Sequence, residues 1–299
     1  MTDTPIAGLG DTARGPRTGP DPASPFFRSG GRNRFTARRA RVVSVEQVAP
    51  VMVRVRVSGP DFVDFVSDGP ADHVRVFFPD PVTGALVAPS PVGPGEDGIL
   101  RPKAPTHARD FTPLSVSRVG DDIVVDLDFF LHASPGPAAQ WAARARMGDE
   151  IVVVGPRGSK AAPQGAARAI LVGDETALPS ITRWLSELPF STAVNVVASV
   201  EDNGGWVADY LAETSARTDA NIRLLRSSSK ELTATVASLR PDASTFVFAA
   251  GEAAALIPLR RLLRRDLALA PEQVALSGYW KSGTIGFDHH SPVDPSDPD

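Results

Sequence analysis

Hydrophobic and polar residues alternate along several short segments in the first half of the chain. The segments are Arg41–Val45, Val51–Val57, Val74–Phe78 and Ile123–Phe130. In each one, apolar residues occupy about every second position and so share one face, which is typical of a half-buried β-strand. Gly, Pro and Asp separate the segments and indicate turns. The pattern predicts a small antiparallel β-barrel over residues 34–160, with a long surface excursion at 79–106.

Apolar runs in the second half alternate with helical patterns instead. The predicted strands are Ala169–Val172, Ala193–Val200, Ile222–Leu225, Phe246–Ala250 and Val274–Ser277. Alternation of strand and helix predicts a parallel sheet with helices on both faces, and therefore an NAD(P)-binding-like α/β domain over residues 165–287. Within the helical stretch 254–267, Pro258 requires either a helix that begins near Ile257 or a kink.

Length and composition agree with a two-domain protein that has unstructured ends. The 299 residues favour two domains of about 130 residues each. The contents of 42% hydrophobic and 22% charged residues are typical of a soluble globular protein. Residues 1–33 and 288–299 are rich in Pro, Gly, Ser and Asp and lack periodicity, so we predict a disordered arm and a disordered tail.

Composition also excludes several kinds of site. The chain has no cysteine, which excludes disulfides, iron–sulfur clusters and cysteine-ligated zinc. Its histidines are scattered or lie in the tail, so we predict no metal site; they are His73, His107, His132, His289 and His290. The net charge of −4 argues against nucleic-acid binding. No apolar run approaches the roughly 18 residues of a membrane span, and no signal peptide is evident, so we expect a cytoplasmic protein, as a monomer.

Arg109–Thr112 lies on a predicted strand, Asp110–Val116. The guanidinium of Arg109 suits pyrophosphate, the Thr112 hydroxyl suits a flavin ring nitrogen, and Phe111 suits the face of an aromatic ring. The alternative is an ordinary barrel strand that carries an exposed arginine.

Gly136 and Pro137 precede a predicted helix over Ala138–Arg146. A helix N-terminus offers free backbone N–H groups to a phosphate. Nearby, His132 either donates to such a ligand or is a satisfied strand-end histidine. We interpret Trp141 as a core residue.

Two further loops follow predicted strands. Gly173–Pro179 occupies the position where open α/β sheets bind ligands; the alternative is that Asp174 or Thr176 serves only as a helix N-cap. Gly251–Glu252 is a second such loop. Tyr279–Lys281 places two aromatic rings and a lysine after the last strand, where they either cover a flavin or nicotinamide ring or pack between the domains.

Taken together, these segments resemble the siderophore-interacting proteins, FAD-dependent ferric-siderophore reductases of the ferredoxin–NADP reductase superfamily. The resemblance covers about residues 35–285. It rests on an ordered set of motifs: Arg109-x-Phe111-Thr112, Asp128-x-x-Leu131-His132, Gly136-Pro137-Ala138-x-x-Trp141-Ala142, Gly173–Pro179, Ala250-Gly251-Glu252 and Gly278-Tyr279-Trp280-Lys281.

The resemblance implies the roles of individual residues. The barrel residues that would touch FAD are Arg109, Phe111, Thr112 and Pro113, with Thr112 also serving catalysis. The ribityl and pyrophosphate groups would be held by His132, Gly136, Pro137 and Ala138. Facing the flavin from the second domain would be Asp174, Glu175, Thr176 and Trp280. The chain departs from the family pattern at Phe111, where tyrosine is usual, and at Leu114, where arginine is frequent.

The implied reaction passes electrons from NADH or NADPH through FAD to siderophore-bound Fe(III), and ferredoxin is another donor within this family. Glu201–Asp202 favours NADH and Arg226–Lys230 favours NADPH; we lean to NADH. Basic residues expected to attract an anionic siderophore are Arg54, Arg56, Arg101, Lys103 and Lys281. The alternatives are a general flavin or ferric reductase and a siderophore-binding protein without turnover.

Overall fold

The computed structural model describes residues 21–201, 204–215, 219–226 and 228–297. Asp202 and Ser227, which belong to the segments used to choose between NADH and NADPH, lie outside these residues. The elements of the first half, in chain order, are β1 (Gly30–Arg32), β2 (Ala37–Ala49), β3 (Met52–Ser58), β4 (Val74–Phe78), β5 (Ser90–Pro91), β6 (Ile99–Leu100), β7 (His107–Phe111), β8 (Pro113–Val119), β9 (Asp122–Phe130), α1 (Pro137–Ala142), β10 (Glu150–Val154) and β11 (Gly158–Lys160).

Seven of these strands form a curled antiparallel sheet in the order β7-β4-β10-β2-β3-β9-β8. The alternation seen in the sequence explains it: Val53, Val55 and Val57 are buried, and the side chains between them point to the other face. Phe78 and Phe129 lie among the apolar side chains inside the curl. The predicted antiparallel barrel is thus confirmed as a half-barrel, whose two edges are β7 and β8.

The second half forms a five-stranded parallel sheet. Its elements are β12 (Arg168–Gly173), α2 (Leu178–Glu187), β13 (Ala193–Val200), α3 (Val207–Thr214), β14 (Asn221–Arg226), α4 (Ser229–Ser238), β15 (Thr245–Glu252), α5 (Ala253–Arg261) and β16 (Val274–Trp280). The order β14-β13-β12-β15-β16 reverses direction between β12 and β15. Helices α2 and α3 cover one face and α4 and α5 the other. Ligands bind beyond the carboxyl ends of the strands at such a reversal.

Local boundaries differ from the predictions at three places. The predicted strand Asp110–Val116 is split at Thr112, where the chain passes from β7 to β8; Pro113 lacks the N–H that would extend the first ladder. The helix α1 ends at Ala142. The helix α5 begins at Ala253, capped by Glu252, so the predicted start near Ile257 is wrong. None of the helices in the described ranges is long and apolar enough to cross a membrane.

Polar contacts lock the parallel sheet against the half-barrel. The buried guanidinium of Arg183, on α2, donates to Ser67 Oγ at 2.8 Å, to the Ser67 carbonyl at 2.7 Å and to the Pro113 carbonyl at 3.1 Å. On α3, Tyr210 donates its hydroxyl to Asp128 of β9 at 2.7 Å. A buried charge is stable only when its donors are satisfied, so these contacts specify one docking geometry.

Parts of the two expected disordered segments belong to the folded structure. Strand β1 pairs with β11, and Phe26 is buried. At the other end, Asp294 pairs with Arg261 at 2.8 Å and Asp297 with Arg260 at 2.6 Å. The structure differs from the expectation because backbone ladders and ion pairs hold these segments, and neither leaves an apolar periodicity in the sequence.

We expect Arg183→Ala to lower the free energy of unfolding by about 3 kcal/mol, because it leaves Glu187 without its charge partner and removes the hydrogen bonds to the half-barrel. Urea denaturation of the flavin-free protein measures the change. Arg144→Ala is the control, since Arg144 is exposed. Equal stabilities for the two variants would contradict this role of Arg183.

Candidate active site

A cleft of about 2010 Å³ lies between the half-barrel and the parallel sheet. Ordinary small-molecule pockets measure roughly 300–1,000 Å³, so this one has room for an extended ligand. The predicted cofactor residues that line it are Arg109, Phe111, Thr112, His132, Gly136, Ala138, Asp174, Glu175, Thr176 and Trp280. Pro113 and Pro137 are their chain neighbours but are not part of the lining.

Arg109 brings a positive charge to the half-barrel side of the cleft. It is half-buried on β7, and its Nη1 donates to the Ala108 carbonyl at 2.7 Å. No carboxylate in the described part of the chain forms an ion pair with it. Its other N–H groups therefore remain for an anionic ligand, and a guanidinium suits the oxygens of a phosphate.

Phe111 belongs partly to the core and partly to the cleft. Its ring centroid lies 4.4 Å from that of Phe129, and Phe78 lies edge-on at 6.0 Å. Trp141 packs on the same rings, which confirms its interpretation as a core residue. Leu114, the second departure from the family pattern, is buried. The aromatic cluster therefore holds the Phe111 ring in place at the cleft wall.

Thr112 lies at the junction of the two sheets. It is 8% exposed, and its side chain and that of Ser180 lie near the buried Tyr279 hydroxyl. Burial raises the pKa of Tyr279 above its ordinary value. Tyr279 packs between the domains, which was one of the two alternatives, and it also lines the cleft.

The start of α1 presents backbone donors to the cleft. Gly136 has extended backbone and no side chain to cap the helix, while Gln140 N donates to the Gly136 carbonyl at 2.9 Å. The N–H groups of Ala138 and Ala139 precede the first intrahelical bond and have no acceptor within the helix. Both alanines and His132 line the cleft, so a ligand can reach these donors.

Asp174 ties together the ends of three parallel strands. Its Oδ1 accepts from the Thr176 N–H at 2.9 Å and from the Thr176 hydroxyl at 2.5 Å. Its Oδ2 accepts from the Glu252 N–H at 2.9 Å and from Trp280 Nε1 at 2.8 Å. Burial raises the pKa of Asp174. A Cβ at Gly251 would lie 2.4 Å from Asp174 Oδ2, which explains the glycine there. The capping interpretation of Asp174 is confirmed.

Glu175 is a buried acid on the wall of the cleft. Its Oε1 accepts from the Glu201 N–H at 2.6 Å, and only 5% of the residue is exposed. Burial, reinforced by the charges of Asp174 and Glu201, raises the pKa of Glu175 to about 7. The side chain can therefore hold or release a proton at neutral pH.

Two members of the expected basic rim form ion pairs within the half-barrel and lie outside the cleft lining. Arg54 makes two bonds of 2.8 Å to Asp128, and Arg56 makes bonds of 2.7 and 3.0 Å to Asp126. The alternating Arg residues of β3 lie opposite the alternating Asp residues of β9. This alternation in the sequence was the signal from which the ion pairs could have been predicted.

Lys103 and Lys281 are exposed and outside the lining. Among the basic residues that do line the cleft, Arg28, Arg32 and Lys160 belong to the β1–β11 region, which the sequence reasoning missed. The available signal was Gly30, where a Cβ would clash with the carbonyl oxygen of Ser159 on the partner strand. A basic strap therefore borders one side of the cleft.

His73 was expected to stand apart from the two histidines of the tail, but the structure brings it together with His289 and His290. Their rings pack together, and all three line the cleft. Burial and the neighbouring His289 lower the pKa of His73 to about 4, so it is neutral at physiological pH. The fold-back of the tail brings them together, which the linear sequence does not reveal.

Comparison with known proteins assigns the family. The model for the siderophore-interacting FAD-binding domain matches residues 41–160, and the model for the siderophore-interacting protein matches residues 166–283. The NADPH-dependent ferric-chelate reductase of Escherichia coli K12 is 32% identical over 254 residues, which is 83% of this chain and 94% of that protein. The chain belongs to the siderophore-interacting protein family.

Further relatives and solved structures are similar to the chain. The ferric vibriobactin reductase ViuB of Vibrio cholerae is 25% identical over 81% of this chain and 88% of its own length. A siderophore utilization protein from T. fusca has a TM-score of 0.76 at 33% identity, over 89% of this chain and all of that one. A ferredoxin NADP+ reductase from Neisseria gonorrhoeae shares the fold alone, with a TM-score of 0.55 at 11% identity, over 82% of this chain and 99% of that one.

We expect the stability of the flavin-free protein to fall as pH rises from about 5 to about 7. The folded state keeps a proton on Glu175 up to a pKa of about 7, whereas the ordinary value is 4.5. The unfolded state therefore binds fewer protons in this window, and the loss from this residue is at most about 3 kcal/mol. Urea denaturation at several pH values measures it.

Glu175→Gln should remove part of this decline. Glu187→Gln is its matched partner, because burial also raises the pKa of Glu187 to about 7, yet Glu187 lies outside the cleft lining. Both variants should flatten the stability profile, but only Glu175→Gln should change the absorbance of bound FAD. A decline that is identical in wild type and Glu175→Gln would refute the assignment.

Proposed function

We propose that this protein is a ferric-siderophore reductase in which FAD occupies the cleft. The observation that carries the proposal is the arrangement of Arg109, Phe111 and Thr112 opposite the ends of β12, β15 and β16 in one cleft. The ferric-chelate and ferric vibriobactin reductases named above support the reaction type.

The residues of the cleft fit FAD. A diphosphate needs positive charge and N–H donors, and the cleft offers the guanidinium of Arg109 and the free N–H groups at the start of α1. The isoalloxazine needs a flat apolar wall, which the Phe111 ring supplies. The missing tyrosine hydroxyl at Phe111 and the missing guanidinium at Leu114 remove two polar contacts, so Arg109 carries a larger share of FAD binding.

FAD, when bound, converts the two-electron hydride of NADH or NADPH into single electrons for Fe(III). For each hydride consumed, two Fe(III) become two Fe(II) and one proton is released. Hard oxygen chelators hold Fe(II) more weakly than Fe(III), so reduction loosens the iron from the siderophore. None of this needs a protein iron ligand.

The residues of the chain itself would position FAD, attract the siderophore and hold or release a proton. Thr112, which lines the cleft near Tyr279, presents a small hydroxyl at the ring end of the cleft. Trp280, 40% exposed and fixed by its bond to Asp174, closes the opposite side. Glu175, whose pKa is raised to about 7, can hold or release a proton near neutral pH. The strap residues Arg32 and Lys160 replace the basic rim expected from the sequence as the attraction for an anionic siderophore.

We place the reaction in the cytoplasm, where reduced nicotinamide nucleotides are available, with the protein acting as a monomer. Either NADH or NADPH serves in this proposal, and ferredoxin is the alternative donor. The NADPH dependence of the Escherichia coli relative supports the phosphorylated nucleotide against our sequence-based preference for NADH.

Anaerobic turnover tests the function. Purified protein with FAD, NADH or NADPH, a ferric siderophore and an Fe(II) trap should yield the coloured Fe(II) complex. Equal rates with ferric citrate would favour a general ferric reductase. Failure to bind FAD, or binding without Fe(II) production, would overturn the proposal, and the latter would favour a siderophore-binding protein.

Arg109→Ala should raise the dissociation constant of FAD by about 10- to 100-fold, because it removes a charge-assisted contact to the diphosphate. Fluorescence titration of the flavin-free protein measures this constant. Arg101→Ala, an exposed change outside the cleft lining, is the control. Unchanged affinity in Arg109→Ala would put the diphosphate elsewhere.

Thr112→Val should slow flavin reduction by NAD(P)H about 10-fold while FAD stays bound, because the hydroxyl is lost but the shape is kept. Thr112→Ser keeps the hydroxyl and should retain most of the rate. Stopped-flow absorbance under anaerobic conditions measures both variants. Equal rates in the two would show that the hydroxyl has no part in the step.

A further inference from the structure

Three histidines from distant parts of the chain converge at the cleft. His73 precedes β4, whereas His289 and His290 lie in the segment that follows β16. One ring nitrogen of each lies within 4.8 Å of the others, and Nε2 of His289 is 3.0 Å from Nε2 of His73. The ring centroids of His289 and His290 are 4.0 Å apart.

A carboxylate fixes the middle ring. Nδ1 of His289 lies 3.1 Å from Asp110 Oδ2 on β7. When that nitrogen carries the proton and donates to Asp110, the lone pair of Nε2 points toward His73. This carboxylate–histidine arrangement is the one that orients imidazole ligands in metalloproteins.

We propose that His73, His289 and His290 form a binding site for a divalent first-row transition-metal ion, with Asp110 as the positioning residue. Neutral imidazole is a good ligand for Zn(II), Fe(II), Co(II) and Ni(II). Two nitrogens bound at about 2.1 Å in a tetrahedral site lie roughly 3.4 Å apart, close to the separation of the first two rings. Small shifts therefore admit the ion.

Ion pairs hold the histidine-bearing segment in this place. Asp294 is buried against Arg261, and Asp297 pairs with both Arg260 and Arg265. The His290 N–H also donates to Asp288 Oδ1 at 3.0 Å. A site whose ligands are already positioned loses less conformational entropy when it binds an ion.

The site has an open side toward the cleft. His290 is exposed, and three protein ligands leave a coordination position for water or another molecule. All three histidines share the cleft with Arg109 and Thr112. If Fe(II) is its natural occupant, which rests on the proposed function, the ion is captured beside the place where it is released.

Isothermal titration of the full-length, FAD-loaded protein tests the site, with Zn(II) as the probe, in the absence of NAD(P)H and siderophore. We expect one ion per chain with micromolar or tighter affinity, and no comparable binding of Mg(II). Anaerobic titration with Fe(II) is the second arm. Zinc should also raise the thermal midpoint of the wild type.

His73→Ala and His289→Ala should each weaken zinc binding by more than about 100-fold, and Asp110→Asn by about 10- to 100-fold. His107→Ala, which removes a histidine outside the cluster, is the matched control and should bind like the wild type. Thermal unfolding without metal checks that the variants are folded.

Absence of zinc binding to the wild type, or equal binding by His289→Ala and His107→Ala, would overturn the site. Because the titration contains no reductant, its outcome is independent of turnover. A wild type that binds zinc but produces no Fe(II) would refute the proposed function and leave the metal site standing.

Discussion

The cleft depends on the docking of the parallel sheet against the half-barrel, and the buried guanidinium of Arg183 is central to that docking. Its hydrogen bonds reach the Ser67 and Pro113 carbonyls, the second of which follows Thr112 directly. A displaced α2 would leave a buried charge without acceptors, which costs several kcal/mol. The position of Thr112 relative to Tyr279 is therefore a consequence of how one sheet packs on the other.

The polar groups of the cleft are of two kinds. Some form hydrogen bonds with one another, and others have donors that are available to a ligand. The carboxylate of Asp174 accepts hydrogen bonds from Thr176, Glu252 and Trp280 and so joins three strand ends. Among the described residues, Arg109 donates one hydrogen bond, to the Ala108 carbonyl, and forms no ion pair, and the first N–H groups of α1 have no acceptor within the helix. This division explains why the half-barrel is the side expected to grip FAD, whereas the parallel sheet shapes the opposing wall and adjusts protonation.

The architecture could be predicted from the sequence because the strands of the two sheets have distinct apolar patterns, and the motifs indicated residues that do line one cleft. Contacts that leave no periodic pattern in the sequence could not be predicted. The pairing of β1 with β11 rests on backbone hydrogen bonds, and the meeting of His73 with His289 depends on a tail held by ion pairs. The ion pairs of Arg54 and Arg56 were not predicted, although the alternating charges on β3 and β9 indicated cross-strand pairing.

We propose that FAD in this cleft passes electrons to siderophore-bound iron. The most direct measurement mixes FAD-loaded protein, reduced beforehand without oxygen, with a ferric siderophore and an Fe(II) trap in a stopped-flow instrument. The absorbance of oxidised flavin should return while two Fe(II) appear for each flavin. A flavin that stays reduced in excess ferric siderophore, or that reoxidises without Fe(II), would contradict it.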